Sequence, residues 1–313
     1  ETELLSSSAE HSFKRLFEIL GFDLSAEPHK DKRFQRKFAP LGVEVNFDES
    51  LDGVLKLAPK EGRVEKVVEA CVGALERDQM SVADARAMAG ILRFLREGHF
   101  GRTGASVLRA LSDHTKYGEV LGLQRTLKEG LEWLVCYLPV APPRRINAHD
   151  SGKLVSVFTD GAVDAERVTV GAVLFVEGAL PEVFGAVVPR DIERRWRSSG
   201  EEQVVAQAEL LPVLLALIVW KSKLAGRYVI WWMDNDGSRQ GLVNGYSRSE
   251  RSASLIDDIL LTMSYSCIYS WYARVPTECN IADLPSRLEW TKLKEELPGA
   301  VIVELTSEVW GRV

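Results

Sequence analysis

Apolar positions along this chain follow two regimes. Before about residue 140 they recur at helical spacing, and after residue 150 they gather into short β-branched runs. The first regime predicts a helix from Ala9 to Leu20, stopped by Gly21, and two more from Arg63 to Arg77 and from Ser81 to Gly98. Ser81, with Asp84 three positions on, gives the last of these a capping start. A fourth helix is expected near Leu123 to Tyr137, ending at Pro139 and the turn Ala141-Pro142-Pro143-Arg144. One extended stretch, Phe38 to Phe47, interrupts this series. In the second regime the runs Leu154 to Thr159, Val168 to Val176, Val183 to Val188, Tyr228 to Met233 and Ile268 to Arg274 predict strands. Between the third and fourth lies Glu201 to Leu211, rich in helix formers and opened by Ser199 and Glu202 in a capping-box pattern. That helix should kink at Pro212 and continue through Leu214, Leu215 and Leu217 as an almost wholly apolar core element. The proline pair marks the expected junction between a mostly helical domain, 1–145, and an α/β domain, 146–313.

Composition narrows the class. The 313 residues suffice for two cores, and 46% hydrophobic with 27% charged content is that of a globular protein. No apolar run approaches the roughly 20 residues of a membrane span, and no secretory signal opens the chain. Because the first residue is Glu1 rather than Met, a processed, truncated or incompletely represented chain is expected. Cys71, Cys136, Cys267 and Cys279 lack metal-ligand spacing and read as free thiols in a reducing, intracellular compartment, with nucleus, cytoplasm and organelle all left open. His11, His29, His99, His114 and His149 are dispersed, so no zinc site is expected.

Four acidic residues of the second half carry the candidate chemistry: Asp160, Glu209, Asp234 and Asp283. Asp160 ends one predicted strand and Asp234 another, Glu209 projects from the apolar helix, and Asp283 follows the last strand in Asn280-Ile281-Ala282-Asp283-Leu284-Pro285-Ser286-Arg287. Each stands beside an element that should be buried. Carboxylates gathered in such a place repel one another and need a counter-charge to stay ionised. Oxygen ligands without cysteine or histidine favour Mg²⁺ or Mn²⁺. Two such ions about 4 Å apart can activate water and stabilise the leaving oxygen of a phosphodiester. Asp236 competes with Asp234, since it alternates onto the same strand face. Asp257 and Asp258 fall in a helical pattern and read as solvated charges.

The segment 153–287 resembles a type 1 ribonuclease H domain. Phe158-Thr159-Asp160-Gly161-Ala162 is similar to its first-strand motif, Ala208-Glu209-Leu210 to its first-helix motif, Asp234-Asn235 to its fourth-strand motif, and Asn280-Ile281-Ala282-Asp283 to its last. The wording is nearest to retroelement polyproteins of the DIRS-like and long-terminal-repeat types. The resemblance implies a mixed five-stranded sheet with helices on both faces, two Mg²⁺ or Mn²⁺ ions, and cleavage of the RNA strand of an RNA/DNA hybrid. Asp160 would bridge the ions, Asp283 would help hold the one that activates water, and Glu209 and Asp234 would hold the other. Asn235, Asn280, Arg194, Arg195, Trp196 and Arg287 are candidate contacts to the hybrid, with Trp196 read as lying in a charged loop where it could stack on a base or sugar. The loop before Asp283 lacks the histidine many family members carry, and Glu278 stands there instead.

Residues 1–145 resemble the tail of a retroelement reverse transcriptase, with Phe13 to Leu20 similar to the last palm helix and Pro40-Leu41-Gly42-Val43-Glu44 to the primer-grip strand. No Tyr/Phe-x-Asp-Asp polymerase motif is present, so an upstream polypeptide or a larger assembly is an expected partner. The net charge of −6 is unusual for a protein that tracks phosphates unaided. Basic runs at Arg86, Arg93, Arg96, Arg102 and Arg109, and at Arg190, Arg194, Arg195 and Arg197, supply local handles. The alternative expectation is a domesticated fragment serving as a structural subunit.

Overall fold

The computed structural model describes residues 2–22, 35–98, 102–117, 122–147, 154–164, 167–197 and 204–313. The predicted capping residues Ser199 and Glu202 lie outside them.

Helix α1 (Thr2–Ile19) is followed by a small antiparallel sheet of β1 (Lys37–Phe38), β2 (Val43–Asn46) and β3 (Val54–Pro59). Four helices then build the first core: α2 (Arg63–Arg77), α3 (Val82–Gly98), α4 (Ala105–Tyr117) and α5 (Arg125–Tyr137). Ser81 caps α3 as its sequence predicts, accepting from the Asp84 amide at 3.0 Å while its hydroxyl donates to the Asp84 carboxylate at 2.7 Å. Cys71, Leu92, Leu111 and Leu131 meet at the centre of this core. Helix α4 has no counterpart in the sequence reading. Ser112, Asp113, His114 and Thr115 are poor helix formers, and burial of Val107 and Leu111 against α3 and α5 overrides them. Strand β4 (Arg144–Asn147) then returns to pair with β3. The first sheet therefore runs to Asn147, and the expected junction at 145/146 falls inside β4.

The second half is built on β5 (Val155–Val163), β6 (Val168–Val176) and β7 (Glu182–Val187), followed by α6 (Arg190–Arg197), α7 (Val205–Val219) and α8 (Lys221–Leu224). Then come β8 (Tyr228–Met233), α9 (Asp236–Asn244), α10 (Glu250–Tyr265), β9 (Tyr269–Arg274), α11 (Asp283–Ser286), α12 (Trp290–Glu296), β10 (Val301–Ile302) and α13 (Ser307–Trp310). The sheet order is β10-β7-β6-β5-β8-β9. β5, β6 and β7 are antiparallel neighbours, whereas β8 pairs parallel to β5 and β9 parallel to β8. The mixed sheet with helices on both faces is the expected architecture, enlarged by the two-residue β10 at its edge.

Alternation along β6 shows how the faces are divided. Ala172 and Leu174 join Val155, Val157 and Trp231 in the core under α7 and α10, while Val173 packs on the other side with Val183, Ala282 and Leu293. Helix α7 is apolar on every side apart from Gln207 and Glu209, as a helix enclosed by sheet and helices must be, and it runs through Pro212 without a break. Of the adjacent tryptophans, Trp231 is fully buried, while Trp232 is half-exposed and stacks on Phe158.

The halves meet along α10 and the start of β8 and β9. Tyr137 contacts the Ser264 hydroxyl at 3.4 Å, Thr103 donates to the Leu260 carbonyl at 3.3 Å, and Tyr228 donates to the Asn147 carbonyl at 3.3 Å. Asp257, expected to be solvated, instead faces α4, where Ser106 hydrogen-bonds it and burial pushes its carboxyl up to about 6. Asp258 is exposed, as expected. No helix among the described residues is long and apolar enough to cross a membrane.

Candidate active site

Strand register brings the first two carboxylates together. Phe158 pairs with Trp232 across β5 and β8, so Asp160 and Asp234, two residues further along parallel neighbours, emerge side by side. Glu209 arrives from α7, which crosses β5 at very close range. A Cβ on Gly161 would lie 2.2 Å from the Ala208 carbonyl oxygen, so only glycine admits the helix here. Pro212 supplies no N–H to the carbonyl four residues back, and that carbonyl, Ala208, is the one facing the strand. The Gly161 backbone also hydrogen-bonds Glu209.

One carboxylate oxygen from each of Asp160, Glu209 and Asp234 lies within 4.8 Å of the others. Asp160 and Glu209 are 5% and 6% exposed, which makes ionisation costly. Burial, then the charges of Asp160 and Asp234, pushes Glu209 up to about 9, against a smaller opposing effect of the Gly161 hydrogen bond. Asp160 rises to about 6, first through burial and then through Asp234 and Asp283, with the Ser286 hydroxyl and Arg287 opposing. Glu209 Oε2 and Asp234 Oδ1 are buried without a hydrogen-bond partner. Buried carboxylate oxygens left unpartnered and facing one another fit a divalent cation held by hard oxygen ligands. These residues are a suitable donor set for Mg²⁺ or Mn²⁺.

Asp283 stands next to this trio rather than within it. It opens α11, and Arg287 one turn on donates to its Oδ1 at 2.7 Å. Its charge nevertheless reaches Asp160. The competitor Asp236 is turned away, exposed at the start of α9 and ion-paired to Arg239 at 2.9 Å and to Arg274 at 3.2 Å.

The candidate substrate contacts divide. Asn280 is buried and structural: its Nδ2 donates to the Thr159 carbonyl at 3.1 Å, and its Oδ1 accepts from the Ala282 amide at 3.3 Å, fastening the last loop to β5. Asn235 caps α9, accepting from the Ser238 amide at 2.9 Å. Arg194 and Arg195 are exposed on α6, outside the carboxylate cluster. Arg287 is exposed and engaged with Asp283. Trp196 corrects the loop reading: it sits on a helix and is 5% exposed within the core. The charges around it mark the outer face of α6 and hide the apolar inner one.

Two features of the site escape sequence reading. Asp160, Gly171 and Gly185 form one row across β5, β6 and β7, and a Cβ at either glycine would strike the backbone of Pro285 or Ser286 at 2.2 to 2.3 Å. The α11 turn thus seats directly on the sheet. From that seat the Ser286 hydroxyl donates to Asp160 Oδ2. The Pro285-Ser286-Arg287 wording hints at a turn, but nothing in it names the partner.

No protein-family model matches the chain, and no curated protein is significantly similar to it. Among solved structures, it is similar to LC11-RNase H1 isolated from compost by a metagenomic approach, at 17% identity and TM-score 0.36, over 44% of this chain and 96% of that one. RNase H1 from the halophilic archaeon Halobacterium salinarum matches at 15% identity and TM-score 0.32, over 44% of this chain and 98% of that one. The N-terminal RNase H domain of a Mycobacterium tuberculosis protein, fused to maltose-binding protein, matches at 14% identity and TM-score 0.31, over 45% of this chain and 96% of that one.

Proposed function

We propose that the second half is a metal-dependent ribonuclease H that cuts the RNA strand of an RNA/DNA hybrid. The observation that carries this reading is the trio of buried Asp160, buried Glu209 and half-buried Asp234, with one oxygen of each within 4.8 Å of the others and Asp283 beside them. The ordered motifs that resemble a ribonuclease H are the same residues. A pair of divalent cations would supply charge neutralisation, an activated water and stabilisation of the leaving oxygen. The chain's own part is to present oxygens in fixed positions. Asp160 and Asp234 are set by strand register, Glu209 by the close crossing of α7, and Asp283 by its pairing with Arg287. The fixed frame keeps the reorganisation required during reaction small. Choice of RNA would rest on 2′-hydroxyl contacts and duplex shape rather than base sequence.

The test is cleavage of an end-labelled hybrid, with single-stranded RNA and duplex DNA as controls, in Mg²⁺ or EDTA. Hybrid RNA alone should be cut, only with metal, and Asp160→Asn should reduce the rate by at least about a hundredfold. A variant as fast as wild type would exclude the site.

A second reading, a structural subunit of a larger assembly, is favoured by α1. Phe13, Leu16, Ile19 and Leu20 are each more than half exposed, an apolar face of the kind that ordinarily meets a partner. A stable heteromeric complex in native mass spectrometry would support it, and a lone monomer would count against it.

A further inference from the structure

The hydroxyl of Ser286 is a buried polar group aimed at the carboxylate cluster. Ser286 is fully buried and is the one hydrogen-bond donor that Asp160 has among the described residues. Its position is set by backbone rather than by side-chain packing. Gly171 and Gly185, cross-strand partners in the row that starts at Asp160, leave room for the Pro285-Ser286 peptide to touch the sheet. Asn280 ties the start of the same loop to Thr159, the neighbour of Asp160. Arg287, the next residue, holds Asp283. One short turn therefore fixes two of the four acidic residues through consecutive side chains.

A hydroxyl at this point has a bland alternative. Ser286 Oγ also lies 3.0 Å from the carbonyl of Asp283, three residues back, a contact that serines make in turns for local reasons. The hydroxyl has a single hydrogen, and an anionic carboxylate oxygen is the stronger acceptor. Holding one oxygen of Asp160 fixes the plane of its carboxylate and opposes the repulsion from Asp234 and Asp283. A carboxylate that has lost its donor can rotate, and a buried donor set then has to be ordered when the cation binds.

Taking the metal-centre reading above as its basis, we propose that Ser286 is a positioning residue: it orients Asp160 for divalent-cation binding through the hydrogen bond that the glycine-seated turn delivers. The test uses the full chain, with Mn²⁺ as the probe, in wild type, Ser286→Ala and Ser286→Thr. Bound Mn²⁺ is read by calorimetry or electron paramagnetic resonance, and thermal melts are recorded in EDTA. Ser286→Ala is expected to weaken Mn²⁺ affinity roughly tenfold, the scale seen when partners of metal ligands are removed, with its metal-free melting temperature nearly unchanged. Ser286→Thr, which keeps the hydroxyl, should stay within about twofold of wild type. Unchanged affinity in Ser286→Ala overturns the proposal. So does a loss accompanied by a matching fall in metal-free stability, which would mark a structural role, or an equal loss in a stably folded Ser286→Thr. The outcome is separable from that of the nuclease reading: a wild type that binds Mn²⁺ but leaves hybrid intact sinks only the nuclease, and one that cleaves while Ser286→Ala binds Mn²⁺ normally sinks only this proposal.

Discussion

Glu209 and Asp160 are held at about 9 and about 6, above their ordinary values of 4.5 and 3.8, chiefly by burial. An acid held above its unfolded value takes up a proton on folding, which destabilises the fold wherever the unfolded chain is ionised. The penalty that these two groups impose on the metal-free fold should therefore be absent well below pH 4, where both are protonated in either state, and should grow as pH rises toward 9. For Glu209 the loss at pH 7 is about 3 kcal/mol. Glu209→Gln should flatten the part of the profile above pH 6, and Mg²⁺ should restore stability to wild type but not to the variant. Urea melts from pH 5 to 9, in EDTA and in Mg²⁺, check this. A flat wild-type profile in EDTA would contradict the placement of Glu209 in a dry cluster. The motifs made the four acids readable in the sequence, but the raised values of Glu209 and Asp160 come from burial, which no residue carries alone.

Element packing decides how well those acids are aligned. Helix α7 approaches β5 so closely at Gly161 that Gly161→Ala would place a carbon 2.2 Å from the Ala208 carbonyl. Either the helix or the strand must move, at a cost of about 1 to 3 kcal/mol. Glu209 is attached to the segment that moves. Gly161→Ala should lower both the denaturation midpoint and the metal-dependent cleavage rate, whereas Gly178→Ala, in the turn between β6 and β7, should leave the rate unaltered. Parallel denaturation and hybrid-cleavage assays of the two variants separate these effects. The strands of the second half were readable because β-branched runs bounded by turn residues have few alternatives. Helix α4 and strand β4 were not: one is made of poor helix formers, and the other, Arg-Arg-Ile-Asn, owes its extended form to pairing with β3.

For the whole molecule, the two cores are joined by α10. Leu261 packs against the first-half cluster, Tyr265 meets Tyr137 edge-on with ring centroids 6.4 Å apart, and Tyr269 donates to the carbonyl of Arg145. A chain reduced to residues 154–313 would leave this side of α10 uncovered. It should unfold at a lower temperature than the full chain and bind more hydrophobic dye, measured by calorimetry and dye fluorescence. Equal melting temperatures would show that the halves are energetically independent.

By itself the sequence determined the architecture and offered a candidate chemistry: four acidic residues in order, the strands that set two of them and the apolar helix that bears a third. These follow from local pattern, since period and turn residues act over a few positions. Tertiary structure alone decided that Asp160, Glu209 and Asp234 form the trio while Asp283 stands beside it, that Trp196 is core, and that Ser286 reaches Asp160. The carboxylate trio and the Ser286 contact depend on strand register or on backbone approach at a glycine, and the burial of Trp196 depends on packing of α6 into the core; these are contacts between segments up to 126 residues apart, and no local pattern records such a distance.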